Sequence, residues 1–231
     1  MRSSSLVTVS QSNATFMSRV YFWMMLALGI SGGIAFAVGS SPALLSAIFS
    51  NSFIWIGLIV LQFGAVIALS ALINKLSATL TVLIYLGYAA LTGVTFSVVL
   101  MAFTRESVAQ AFFVSASAFV GLSAYGVMTK RDLGPLGSFC MTGLFGLIGF
   151  MLITWLFPSI QTTAVSMTIS VLGIMIFAGL TAYDTQMIKS FNPGGASSDV
   201  VRKAAISGAL RLYLDFINLF LMVLRLFGNR R

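Results

Sequence analysis

Charged residues, histidine and cysteine are scarce in this sequence of 231 residues, and each shortage excludes a class of protein. Only 8% of the residues are charged and 58% are hydrophobic, whereas about a quarter of the residues of a soluble domain are charged. There is no histidine, which excludes Ser-His-Asp hydrolases, Cys-His proteases and zinc proteases with histidine ligands. Cys140 is the single cysteine, so no disulfide forms within the chain. The composition predicts a helical membrane protein with several spans.

Seven apolar stretches are long enough to cross a bilayer, which takes about 20 helical residues. They are Tyr21–Val38, Phe53–Ile73, Leu80–Phe103, Val108–Met128, Gly137–Phe157, Ala164–Thr185 and Ala204–Phe227. None alternates apolar and polar residues as a barrel strand does, so we expect an all-α protein with seven transmembrane helices. A polar tail over 1–18 precedes the single transmembrane domain expected over 19–231. A signal peptide cleaved near Ala35-Phe36-Ala37 is the alternative for the first stretch, but the apolar run is long for one.

The basic residues lie between the apolar stretches and indicate an orientation. Thirteen Lys and Arg against five Asp and Glu give a net charge of +8. Because the charges are spread over the loops, we expect no nucleic acid as a partner. With the N-terminus in the cytoplasm, the inner side holds eight of the basic residues and the outer side four, while Arg211 lies within the seventh stretch; the positive-inside rule favours this orientation. The sequence therefore predicts a cytoplasmic N-terminus and a C-terminus outside.

Two of the five acidic residues lie within predicted spans. Asp184 is near the inner end of the sixth stretch, and Asp215 is close to the middle of the seventh. A carboxylate at the centre of a bilayer costs about 2.5–3.5 kcal/mol on the insertion scale, so it needs a partner or a function. The short loop between the two stretches makes them antiparallel neighbours, which would bring Asp184 near Asp215.

The seventh stretch carries a polar stripe on an otherwise apolar surface. The stripe consists of Arg211, Asp215, Asn218 and Arg225, which share one narrow face at about 100° per residue. Such a helix should direct its stripe into protein or a water-filled cavity, which favours the seventh helix as the central one. Alternatively, Arg211 and Asp215 neutralise each other within one helix, and Asp184 is an interfacial acid near Lys189.

Several segments resemble the Bax inhibitor family. The segments are Gly-Leu-Thr-Ala-Tyr-Asp-Thr-Gln at 179–186, the run at 209–220, Thr92-Gly93-Val94-Thr95 and Lys130-Arg131-Asp132-Leu133. The first is similar to the family signature, the second to the family's last helix, and the other two to bacterial members. The resemblance implies a bacterial inner-membrane protein whose last helix lies within the other six. It also implies a calcium leak that is set by pH through two aspartates, which correspond to Asp184 and Asp215.

Two positions depart from the pattern of bacterial relatives. Relatives can carry an arginine cluster at the inner end of the second helix, where this chain has Asn74 and Lys75, and lysine lacks the bidentate fork of arginine. Relatives can also carry a carboxylate within that helix, where this chain has Gln62. The missing charge argues against tight calcium binding.

These observations predict a pH-sensitive cation leak channel in the lipid bilayer, and not an enzyme. Two close carboxylates in a poorly solvated site share one proton more readily than both ionise. When both are ionised, they suit a hard cation such as calcium. We expect Asp184 and Asp215 to be the proton sensor, the gate and the calcium ligands, without a bound cofactor. The supporting residues are Arg211 and Lys75 as counter-charges, and Tyr183 and Asn218 as hydrogen-bonding groups.

Two other functions compete with this prediction. The protein could be a non-conducting regulator of other membrane proteins, which flux in liposomes would distinguish. Intramembrane aspartyl proteases also place Tyr-Asp on one helix and a second aspartate on the next. Their second motif is Gly-x-Gly-Asp, whereas this chain has Leu212-Tyr213-Leu214-Asp215.

The orientation is testable with reporter fusions. A periplasmic reporter fused after Arg231 should be active, because the basic residues place the C-terminus outside. A cytoplasmic reporter at the same position should be inactive, and fusions in the loops at Lys75, Lys130 and Lys189 should show the opposite pattern. Cytoplasmic activity after Arg231 would contradict either the orientation or the number of spans.

Overall fold

The computed structural model describes residues 2–193 and 195–230, and these residues are almost entirely helical. The helices are α1 (Arg2–Gly39), α2 (Pro42–Phe49), α3 (Ser52–Ala71), α4 (Ala78–Ala102), α5 (Arg105–Met128), α6 (Gly134–Leu156), α7 (Thr163–Ser190) and α8 (Ser198–Phe227). A single 3-10 turn at Pro158–Ile160 joins α6 to α7. The predicted all-α class is confirmed.

Six of these helices are long and apolar enough to cross a membrane. They are α1 from Ser12 onward, α3, α4, α5, α6 and α7, and the first six predicted stretches fall on them. The seventh predicted stretch lies in α8, a helix of 30 residues. The passage of α8 through the membrane, and its position within the other six helices, stay predictions.

Two helical segments were not expected from the sequence. Helix α1 begins at Arg2 and so includes most of the polar segment 1–18, where neither glycine nor proline interrupts a helix. Helix α2 lies within the first predicted loop. Pro42 stands in its first turn, and the Ser41 side chain accepts a hydrogen bond from the backbone N–H of Leu44 at 3.4 Å. Both features favour a helix start.

The described residues form two compact units. The first contains the chain up to Ala102 together with Phe191–Tyr213, and the second contains Phe103–Ser190 together with Leu214–Arg230. In the first unit α1 and α4 run parallel, because the Tyr85 hydroxyl donates to the Trp23 carbonyl at 3.0 Å and the Ser31 hydroxyl donates to the Ala89 carbonyl at 2.7 Å.

A glycine allows α1 and α4 to approach each other closely. A Cβ atom on Gly93 would lie 2.7 Å from the Ser31 carbonyl oxygen and 2.8 Å from Ile34 Cβ. The same part of α1 receives α8, since the Tyr213 hydroxyl lies 2.8 Å from Ser31 Oγ. The core of the first unit is therefore held by buried hydroxyl groups as well as by apolar contact.

Gly93→Ala should destabilise the protein, because the added methyl group meets backbone that cannot rotate away. We expect the free energy of unfolding to fall by about 1–3 kcal/mol, measured by thermal unfolding in detergent. Gly87→Ala is the matched control on the same helix, since a Cβ atom there meets nothing within 4 Å. Equal stability of the two variants would contradict the close contact of α1 and α4.

Candidate aspartate site

The second unit fixes the direction of α7 relative to α5. Ser123 Oγ lies 3.2 Å from Thr185 Oγ1, and the Lys189 ammonium donates to the Val127 carbonyl at 2.7 Å. Both residue numbers increase together along the two helices, so α5 and α7 run parallel.

The end of α8 runs antiparallel to α5. Ser107, near the start of α5, accepts a hydrogen bond from the backbone N–H of Asn229 at 3.0 Å. Three turns further along α5, the Phe119 ring packs edge-on against the Phe216 ring, with centroids 5.6 Å apart. Within this unit α7 and the second half of α8 are therefore antiparallel, as the short loop between them predicts.

A close contact between α7 and α8 locates the two aspartates. A Cβ atom on Gly173 would lie 2.7 Å from Met222 Sδ, so these positions face each other. Asp184 is eleven residues after Gly173, and Asp215 is seven residues before Met222. At about 100° per residue, each aspartate lies within about 20° of the contact on its own helix. In antiparallel helices both lie on the same side of the contact, and their levels differ by about 6 Å at 1.5 Å per residue.

Both carboxyl groups are buried within the protein. Asp184 is 6% exposed and Asp215 is 5% exposed. The Oδ1 atom of Asp184 and the Oδ2 atom of Asp215 accept no hydrogen bond from any described residue, although both residues take part in other interactions. Two acids thus occupy facing sides of neighbouring helices in an environment that disfavours two charges.

The signature over 179–186 packs α7 against α6. A Cβ atom on Gly179 would collide with Cys140 Sγ, and a Cβ atom on Gly137 would collide with the Tyr183 ring. Between these two contacts the residue numbers fall on one helix as they rise on the other, so α6 and α7 are antiparallel. Small residues on each helix accept a larger neighbour from the other.

The same signature packs α7 against α5. The backbone carbonyl of Ala182 lies where a Cβ atom on Gly126 would stand, and Thr185 pairs with Ser123. Because α5 and α6 hold two sides of α7, the remaining side carries both Gly173 and Asp184. The signature therefore orients the aspartate through the residues around it.

The other predicted site residues lie in different surroundings. Tyr183 is half-buried against Gly137, and Asn218 is half-buried and donates to the Leu214 carbonyl one turn earlier, at 2.8 Å. Lys75 and Arg211 are exposed and belong to the first unit, where Arg211 takes part in an interaction. The polar stripe of α8 is thus uneven, because Asp215 is buried while Arg211 is exposed.

The sequence-based predictions did not include the glycines Gly126 and Gly137, which allow α7 to pack closely, or the hydrogen bonds of Gln186. Gln186 Oε1 accepts a hydrogen bond from the backbone N–H of Leu133 at 2.9 Å, and Nε2 donates to the Arg131 carbonyl at 2.8 Å. The feature of the sequence that could have indicated this role is the glutamine itself, a polar residue at the end of the signature and next to a predicted span. Its partners are backbone groups, which leave no trace in the sequence.

The comparison with known families identifies the chain. The model of the family described as "Inhibitor of apoptosis-promoting Bax1" matches residues 13–231. The chain belongs to the Bax inhibitor family. It is 42% identical to "Inner membrane protein YbhL" of Escherichia coli over 233 aligned positions, which cover 100% of this chain and 98% of that protein. The predicted resemblance is confirmed.

Other bacterial proteins are similar to this chain over most of their length. An uncharacterized protein of Deinococcus radiodurans is 41% identical and covers 94% of this chain and 91% of its own. One of Borreliella burgdorferi is 39% identical, with 94% and 92% covered. Together with six apolar helices, the similarity to YbhL supports a multi-pass protein of the inner membrane.

The Tyr183 ring packs against Gly137, so substitutions at Tyr183 can distinguish a packing role of this residue from a hydrogen-bonding role. Tyr183→Phe should retain wild-type stability to within about 0.5 kcal/mol, because the ring is kept. Tyr183→Ala should lower the free energy of unfolding by about 1–3 kcal/mol, because it leaves a gap beside the glycine. Tyr125→Ala, at an exposed tyrosine on α5, is the control for thermal unfolding in detergent. If Tyr183→Phe is as damaging as Tyr183→Ala, the hydroxyl group carries the role that the sequence predicted.

Proposed function

We propose that this member of the Bax inhibitor family is a pH-sensitive leak channel for cations, with calcium as the expected ion, and that Asp184 and Asp215 form its proton sensor and gate. One observation carries the proposal: Asp184 on α7 and Asp215 on α8 are only 6% and 5% exposed, and they lie on facing sides of these two helices. Residues of this kind within a membrane domain serve ion or proton pathways by default.

The two protonation states of the pair favour two arrangements of α7 and α8. When the carboxyl groups share one proton, a hydrogen bond between them holds the helices together. When both are ionised, they repel each other across a poorly solvated gap, and a cation relieves the repulsion. Protonation thus supplies a chemical input to an element with two states, as a pH-controlled gate requires.

The number of acids favours passage of the ion over tight binding. A tight calcium site takes six to eight oxygen ligands, usually with several carboxylates. Among the described residues, no group of three or more Asp, Glu, His or Cys side chains is placed to hold a metal ion. Two carboxylates alone give a weak site, which a cation can enter and leave.

The pair is tested by replacing each carboxyl group with an amide of the same shape. Asp184→Asn and Asp215→Asn should each abolish the pH dependence of calcium flux into liposomes between about pH 5 and about pH 8, because a lone carboxyl group has no second acid with which to share a proton. The double variant should resemble either single variant, since residues that act as a unit are not additive. Asp199→Asn, at an exposed acid on α8, should keep the wild-type profile.

Other outcomes of this experiment identify the competing functions. If Asp215→Asn alone impairs the protein through loss of stability and Asp184→Asn has no effect, Asp215 serves a charge pair within α8. If both single variants keep the wild-type pH profile, the pair is not the sensor. Absence of calcium flux in wild-type liposomes would favour the non-conducting regulator.

A further inference from the structure

Gln186 is a signature residue whose contacts the ion chemistry does not use. Its amide does not ionise, and it stands two residues after Asp184. The side chain spans the connection between α5 and α6: Oε1 accepts the Leu133 N–H at 2.9 Å, and Nε2 donates to the Arg131 carbonyl at 2.8 Å. Two hydrogen bonds of good length therefore join the end of α7 to residues 131–133.

The chemistry of these two bonds requires a primary amide of this length. One partner is a donor and the other is an acceptor, so the side chain must accept and donate at once. An ionised glutamate only accepts, and asparagine is one methylene shorter. The amide also satisfies a backbone N–H at the start of α6, where Leu133 offers no side-chain cap of its own.

A second tie lies one turn further along α7. The Lys189 ammonium donates to the Val127 carbonyl at 2.7 Å, in the last turn of α5. Helix α7 therefore contacts both ends of the α5–α6 connection, through Val127 at one end and through residues 131–133 at the other. The exposed residue Lys130 lies between these contacts. All of these contacts lie at the end of α7 that carries Asp184.

We propose that Gln186 is a positioning residue that clamps the α5–α6 connection to α7 and thereby holds Asp184 in its orientation toward α8. The consequence for ion flux rests on the proposed function of the aspartate pair. The clamp itself does not rest on that function, because its opening can be measured by how readily an introduced thiol is labelled.

Thiol labelling measures the clamp directly. Leu133 is 6% exposed, so in the full chain with Cys140→Ser, a Leu133→Cys variant should react slowly with a water-soluble methanethiosulfonate reagent. Adding Gln186→Met keeps the volume of the side chain and removes both hydrogen bonds, and the labelling rate should rise about tenfold. Gln161→Met, at an exposed glutamine in the α6–α7 loop, is the matched control and should leave the rate unchanged. An unchanged rate in Gln186→Met would overturn the clamp.

Gln186→Glu tests whether the clamp needs a donor as well as an acceptor. A protonated carboxyl group both donates and accepts, whereas an ionised one only accepts. Labelling at Leu133→Cys should therefore be fast at about pH 8 and slow at about pH 4, relative to Arg131→Cys as an exposed thiol at each pH. The charged groups near position 186 are Lys130, Arg131 and Asp132 on the connection and Asp184 and Lys189 on α7, so the same ratio measured with Gln186 in place gives the contribution of the other groups. A rate ratio that does not change with pH would overturn the requirement for a donor.

Calcium flux in the same variants separates the two proposals. If the clamp positions Asp184, Gln186→Met should shift the midpoint of the pH profile, and Gln161→Met should leave it unchanged. Faster labelling with an unshifted profile would retain the clamp and overturn its role for Asp184. Wild-type protein without flux would overturn the channel and leave the labelling result to decide the clamp.

Discussion

The close approach of α7 to both α5 and α6 is the constraint on which the aspartate site depends. Helices can come this near only where side chains are absent, and Gly126 and Gly137 supply such positions opposite Ala182 and Tyr183. With two of its sides fixed, α7 has no rotational freedom to turn Asp184 toward lipid. The direction of one carboxyl group is thus determined by glycines on two other helices.

This packing also explains how two acids persist in a chain with so few charges. The cost of a carboxylate is set by its surroundings and not by the mean hydropathy of its helix. When two facing carboxyl groups share one proton, the pair carries one negative charge instead of two, which lowers the cost of burying both groups. In the function that we propose, the same arrangement makes the contact between α7 and α8 the pH sensor, so the packing that buries the two acids also positions them for sensing.

Sequence reasoning located the elements well and their partners poorly, for physical reasons. The length of an apolar stretch is a local property, so six predicted stretches coincide with helices of membrane length. Asp184 and Asp215 were identified because acidic residues are scarce in this chain and these two lie within predicted spans. The start of α1 at Arg2 was not predicted, because polar residues can form a helix without a pattern of apolar residues. The hydrogen bonds of Gln186 were not predicted, because its partners are backbone groups of Arg131 and Leu133, which lie 55 and 53 residues away along the chain.

The signature of the Bax inhibitor family therefore packs α7 against α5 and α6 in addition to carrying one acid of the proposed ion site. Gln62 illustrates the difference. Its amide donates to the Leu91 carbonyl at 3.1 Å and to Thr95 Oγ1 at 3.2 Å, which joins α3 to α4. A carboxylate, which some relatives are expected to carry there, could not donate to that carbonyl and would add a negative charge. At this position the chain therefore has a contact between two helices and no charge, so the proposed channel rests on Asp184 and Asp215 as its buried acids.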